Sequence, residues 1–250
     1  MSCEQRVASG EFLVSAFSFL VLSLPGKSGK CDWKLETRNE KLETRNEKQK
    51  PMLRYFAGTI AWLACVVFST VPSFWFMVHP FAERWRARQR SPYRLLLPAW
   101  IGMWVVVAAV TWRWRTIVFY QADWLWVSAV LLFACGFYLY SQAGKNFSAK
   151  QLGGIPEVHG RSPEQILITD GIRSRVRHPV YLAHLCEMIA WSLGTGLAVC
   201  WALTGFAVVT GAVMIRMEDA ELEKRFGEEY RAYRKSVPAV LPRLLNSSRI

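Results

Sequence analysis

The sequence predicts an all-α integral membrane protein: a bundle of about five transmembrane helices, followed by an amphipathic helix on the cytoplasmic side. Three observations carry this. Of 250 residues, 52% are hydrophobic and twelve are tryptophan, and mean hydropathy is positive, which is unusual for a water-soluble domain of this size. Long stretches without Asp, Glu, Lys or Arg recur along the chain. Basic residues collect in alternate connections between those stretches.

The elements follow in order. Residues 1–51 read as an N-terminal extension, poorly ordered or not native, with Met52 as the natural start. Within it "FLVSAFSFLVLSL" has the length of a signal segment but lacks a clear basic start and a small-x-small cleavage site. Positions 34–47 are two identical heptads, "KLETRNEKLETRNE". One leucine per heptad over two copies makes no coiled-coil seam, so at best a short charged helix is expected. The uncharged stretches then run from Tyr55 to Ala82, Leu95 to Trp112, Trp124 to Gly144 and Met188 to Ile215. A hydrocarbon core of about 30 Å needs roughly 17 to 25 helical residues, so each of the first three is one span. The last stretch feeds two, the fourth beginning near Pro179 and the fifth ending near Ile215, with a turn at Gly194–Gly196. Residues 52–143 thus hold helices one to three, residues 144–243 form a second region, and 244–250 are a tail.

The net charge of +12 is distributed as a membrane protein would distribute it. The first loop carries Arg84, Arg86, Arg88, Arg90 and Arg94 against Glu83; the third carries Lys145, Lys150, Arg161, Arg173, Arg175 and Arg177. Seven more Lys or Arg follow Arg216, whereas the second loop has only Arg113 and Arg115. The positive-inside rule places the first and third loops and the C-terminus in the cytoplasm. No basic patch is interleaved with a nucleic-acid-binding fold, so nucleic acid is not an expected partner. Six cysteines show no ligand spacing; they read as small apolar residues, and no metal site is expected.

Span counting has a chemical consequence. The hairpin of spans four and five brings "RHPVY" (177–181) beside "RMEDAEL" (216–222) at one membrane face. Pro179 suits the first turn of a helix, where its missing N–H costs nothing. Taken alone, Arg177 and Tyr181 are ordinary interfacial anchors, and Glu218 and Asp219 ordinary acidic residues. Beyond them Leu222, Phe226, Tyr230, Tyr233 and Val237 recur at helical spacing, so one helix with an apolar stripe is expected to lie on the membrane or cap the bundle.

These motifs resemble those of the integral-membrane methyltransferases typified by isoprenylcysteine carboxyl methyltransferase, with phospholipid methyltransferases as relatives. The pattern is RHPxY, an apolar stretch, an acidic pair, LxxxFGxxYxxY and a late proline. This chain has "RHPVY" at 177–181, "ED" at 218–219, "LEKRFGEEYRAY" at 222–233, and Pro238 and Pro242; "GKNFS" at 144–148 and "LITDGI" at 167–172 also match. The resemblance covers about residues 140–243. It implies S-adenosyl-L-methionine as cofactor in a cytoplasm-facing pocket, and a lipidic or lipid-modified acceptor arriving from the bilayer. It also implies that the backbone of Gln165, Ile166, Leu167 and Ile168 holds the adenine. His178, Pro179, Val180 and Tyr181 would line the amino-acid end, with Glu218 on the ammonium. Two departures stand out: Asp219 is one methylene shorter than the family's second Glu, and Met214 occupies the position of its substrate-carboxylate arginine. Arg173 or Arg216 is the candidate substitute.

His184 and Glu187 complete the candidate set. His178, Tyr181, His184 and Glu187 step by three along span four, which puts Glu187 about 12 Å inside the interface. An ionisable group at that depth is a functional candidate, here a base for an amine or thiol nucleophile; a structural Glu–His pair is the alternative. Other readings of the whole chain are a phospholipid or amine N-methyltransferase and, from a different class, an NADPH-dependent sterol-type reductase. The expected location is the cell inner membrane or an endomembrane, as a multi-pass protein.

Overall fold

In a computed structural model the described residues are 32–87, 92–145 and 166–242. The chain divides into two compact units, Met1–Pro51 and Met52–Ile250. Both heptads lie in helix α1 (Asp32–Ser69), which extends into the second unit. All architecture below concerns residues 52–250.

Apolar sequence and helix-compatible punctuation explain the elements. After α1 the chain restarts as α2 (Val71–Val78), with Pro72 in the first turn, where a missing N–H is tolerated. A single turn, His79–Phe81, and the short α3 (Ala82–Arg86) follow. Helices α4 (Tyr93–Thr111), α5 (Leu125–Gly144), α6 (Pro179–Thr195), α7 (Ala198–Phe226) and α8 (Glu228–Ser236) complete the described residues, which contain no strand. Among the described residues four segments are long and apolar enough to cross a membrane: Lys50–Phe81, Tyr93–Trp114, Leu125–Gly144 and Ala198–Phe226. The expected fourth span, α6, is 17 residues long, about 25 Å at 1.5 Å per residue. Pro179 fixes its start and Gly196 its end, so it is shorter than the others.

Two ends of the bundle can be told apart by their contacts. At one end the α6–α7 turn meets the second loop: Phe119 N–H donates to the Gly196 carbonyl at 2.9 Å, and Ala198 N–H to Ile117 at 2.9 Å. Arg54, near the start of the first span, donates to Gln121 at 2.9 Å and Asp123 at 2.9 Å. The opposite end gathers His79, Arg177, His178, Glu218 and Glu221, where His79 lies 4.0 Å from Glu221. Antiparallel spans therefore alternate as the loop charges predict. The sequence expectation is corrected at the C-terminus, where the single stripe-bearing helix is broken at Gly227 (φ 61°) into α7 and α8. The stripe survives the break, because Tyr230, Tyr233 and Val237 pack with Leu167, Leu222 and Phe226.

Packing ties α6 to both neighbours. Against α7, Ser192 Oγ and Thr204 Oγ1 share a buried hydrogen bond of 3.0 Å, and Met188, Cys200 and Leu203 join a core with Trp62 and Val66. Against α5, Leu139 packs with Ala183 and Cys186, and a Cβ on Gly136 would lie 3.0 Å from Glu187 Cγ. The four cysteines among the described residues are free thiols.

Gly196 generates the first prediction. Its φ of 65° favours glycine, and a Cβ there would lie 2.1 Å from the Tyr120 carbonyl oxygen. Gly196→Ala should cost on the order of 2 kcal/mol or more, read as a lowered Tm of the detergent-solubilised protein; an unchanged Tm would show that the turn relaxes freely.

Candidate functional site

A buried carboxylate organises the charged end. Asp219 is 3% exposed, and ions removed from water require partners. Arg177 Nη2 donates to Oδ2 at 2.7 Å, His178 Nε2 meets Oδ1 at 3.0 Å, and the Tyr230 hydroxyl donates to the same Oδ1. Arg234 Nε stands 3.6 Å from Oδ2. Helix α6 supplies the first two partners from its N-terminal flank, and α8 supplies the others.

The backbone holds this arrangement in place. Arg177 and His178 N–H groups donate to the carbonyls of Pro238 (2.9 Å) and Ala239 (2.8 Å), so the segment after α8 straps the start of α6. Arg177 Nη1 also donates to the Val237 carbonyl at 2.5 Å and to Arg234 at 3.1 Å. Tyr233 donates its hydroxyl to the Arg173 carbonyl at 2.7 Å, binding α8 to the turn Gly171–Ser174.

Glu218 is the neighbouring carboxylate with a different environment. His178 Nδ1 approaches its Oε2 at 3.4 Å, an ion-pair distance, yet that buried oxygen accepts no hydrogen bond. One imidazole thus faces both acidic side chains. Burial pushes His178 down, but the Glu218 charge and the Asp219 hydrogen bond outweigh it, so its pKa is pushed up to about 9. Burial raises the Tyr233 phenol to about 12 and lowers the Arg173 guanidinium.

The sequence-predicted residues separate into groups. His178 and Glu218 meet, with Pro179 buried beside them and the Tyr181 ring 5.8 Å from the His178 ring. Val180 lies in the same first turn, half-buried, and its carbonyl bonds His184 Nδ1 at 2.7 Å. Ile166 is exposed; Leu167 packs against the α8 tyrosines; Ile168 is half-buried; Gln165 lies outside the described residues. His184 and Glu187 face away from the charged cluster. The His184 ring sits edge-on to Phe68 (5.1 Å) and Tyr140 (5.3 Å), and Glu187 is buried against Gly136 on α5. Among the described residues no hydrogen bond or ion pair joins them, so the expected Glu–His pair does not form. Arg216 is exposed and Met214 is fully buried. Arg173 is half-buried, its Nη1 3.4 Å from the Ala143 carbonyl.

Three residues of the cluster carry more than their sequence context promised. Asp219, one methylene shorter than expected, is the hub, and Arg177, read as an interfacial anchor, is its forked partner with a side chain 8% exposed. His79 lies inside the stretch Tyr55–Ala82, whose lack of Asp, Glu, Lys and Arg does not mark a histidine. A histidine before proline at the end of a span, as in "RHP", was the available signal.

Comparison with known proteins agrees with the motifs. The chain is 32% identical over 132 residues to the protein-S-isoprenylcysteine O-methyltransferase of Schizosaccharomyces pombe, covering 46% of this chain and 49% of that one. It is 30% identical over 131 residues to the human protein of the same name, covering 49% and 43%. It is 36% identical over 59 residues to an uncharacterized protein of Haemophilus influenzae, 94% of whose length is matched. The chain therefore spans about half or less of the length of the named relatives. No family model matches it.

Two outcomes follow from the cluster. Asp219→Asn should destabilise the protein by on the order of 3 kcal/mol in denaturant or thermal unfolding, because it strands Arg177 and His178 without their shared counter-charge. His178, raised when folded from 6.5, contributes stability that is complete below its unfolded pKa and lost as pH rises through about 9. The Tm advantage of the wild type over His178→Asn should accordingly shrink across that interval; a constant difference would remove the imidazolium from the account.

Proposed function

We propose that this chain, similar over about half its length to isoprenylcysteine O-methyltransferases, is an S-adenosylmethionine-dependent membrane methyltransferase acting on a hydrophobic or lipid-bearing acceptor. One observation supports it above others. Glu218 Oε2 is buried beside the His178 imidazole and accepts no hydrogen bond, as a carboxylate reserved for a ligand ammonium would be. When bound, the cofactor supplies an electrophilic methyl group on a sulfonium.

The protein's own part is binding and alignment. Glu218 holds the amine of the cofactor's amino-acid end, and His178, protonated between two carboxylates, holds the Glu218 side chain in place for it. Tyr181 and Pro179 line the same turn, while Gln165 to Ile168 are assigned the adenine on the resemblance described above. Displacement at carbon requires nucleophile, methyl and sulfur in line, so a site braced by Asp219 and by the backbone strap contributes through positioning. Exclusion of water strengthens each polar contact. Glu187, His184 and Arg216 stand apart from this cluster and receive no step. We assign the site to the cytoplasmic face from the loop charges.

Binding tests the reading directly. S-adenosylhomocysteine should raise the Tm of the detergent-solubilised chain and NADPH should not. Glu218→Gln should weaken that binding roughly ten- to hundredfold, the loss expected for one charge-assisted hydrogen bond of about 1.5–3 kcal/mol. Stabilisation by NADPH alone would overturn the methyltransferase in favour of a reductase.

A further inference from the structure

A second histidine, outside the C-terminal half, stands at this site. His79 closes the first membrane segment in the turn His79–Phe81, and its side chain is 5% exposed. Its Nδ1 is buried without a hydrogen bond, and Glu221 Oε2 lies 4.0 Å away. A buried imidazole nitrogen that makes no hydrogen bond and stands only at ion-pair distance from a carboxylate is costly unless a ligand completes it. The ring stacks on Trp75, with centroids 5.2 Å apart at 28°, so its direction is set by packing.

Among the described residues, the charges set against His79 are the carboxylates of Glu221 and Glu218. Glu221 follows Glu218 by three residues and shares its helical face; Glu218 interacts electrostatically with His79 as well as His178. Helix α2 carries no charged residue, and Glu83 and Arg84 of α3 are exposed. Glu221 Oε2 and an unprotonated His79 Nδ1 are both acceptors and cannot bond each other, yet one nitrogen bearing several N–H groups can sit about 2.8 Å from both. A carboxylate carries lone pairs for more than one donor, so Glu221 can take a further donor beside the partner it already has. An anionic group placed there would meet Glu221 oxygen instead. On α7 the residue one turn before Glu218 is the buried, apolar Met214, and Arg216 is exposed, so neither offers an anion a buried counter-charge.

We propose that His79 and Glu221 bind the amino group of the methyl acceptor, and that His79 Nδ1 takes the proton that must leave it. The assignment rests on the methyltransferase reading and names its acceptor as an amine. Deprotonation frees the nitrogen lone pair. The C–N bond then forms as the methyl–sulfur bond of the donor breaks, and that bond's electron pair stays on sulfur. The abstracted proton rests on His79 beside the Glu221 carboxylate until water removes it.

The test uses the purified full chain in detergent. S-adenosylhomocysteine should bind wild type, H79N and H79L with affinities within about twofold, which also reports folding. With that ligand bound, dodecylamine should raise the Tm of wild type and H79N but not H79L, since an Asn amide oxygen replaces the Nδ1 acceptor. With radiolabelled S-adenosylmethionine, dodecylamine should be N-methylated. H79N should keep its KM while kcat falls about a hundredfold at neutral pH and recovers near pH 10, where the free amine needs no base. Methylation of the carboxyl group of N-acetyl-S-farnesylcysteine without the amine would overturn the proposal, as would an unaltered kcat in H79N. If wild type fails to bind S-adenosylhomocysteine, the methyltransferase reading falls and this assignment with it.

Discussion

Everything at the charged end of the bundle depends on one buried carboxylate having to be neutralised. Asp219 sits at 3% exposure near the end of α7, and water is not there to solvate it. Its partners come from two places far apart in sequence: Arg177 and His178 before α6, and Tyr230 and Arg234 on α8. Meeting that single electrostatic demand fixes the start of one helix, the end of another and the docking of a third. The positions of Glu218 and of the His178 ring then follow from it, because the same imidazole serves both carboxylates.

Adjacent acidic residues consequently divide their work. Consecutive positions on a helix are about 100° apart, so Glu218 and Asp219 cannot face the same surroundings. Asp219, with the shorter arm, is surrounded by its donors. Glu218 reaches further and keeps an oxygen without a hydrogen bond. The carboxylate with the shorter arm is therefore the one taken up by the brace. The opposite end of the bundle is built differently, from backbone hydrogen bonds around Gly196 and one exposed Arg54–Asp123 pair.

Much of this was legible in the residues. Uncharged stretches and loop charges give the helices and their alternation, and a hairpin turning near Gly194–Gly196 requires "RHP" to meet "ED". What periodicity could not see were interactions decided by three-dimensional reach. A stripe spaced for one helix is equally consistent with two helices joined at Gly227, because a glycine of positive φ interrupts the helix while the tyrosines stay in contact. The short length of α6 depends on caps at both ends rather than on apolarity. Stepping by three along α6 also suggested a shared face, but three residues advance about 300°, and the drift accumulates. By His184 and Glu187 the side chains have turned toward α1 and α5.

That drift bears on where a proton can go. Glu187 lies nine residues beyond His178, about 13 Å along the helix axis, and its surroundings are Gly136 and the α5 interface. A group that accepts a proton from a bound nucleophile must be within hydrogen-bond reach of it, or one water away. Distance separates Glu187 from the carboxylates that gather at the helix ends, whereas His79 is brought to them by the first membrane segment. The N-terminal spans therefore do more than anchor the C-terminal half. By ending in a histidine held against Trp75, they bring a second imidazole to an acidic surface whose first imidazole is already committed to Asp219.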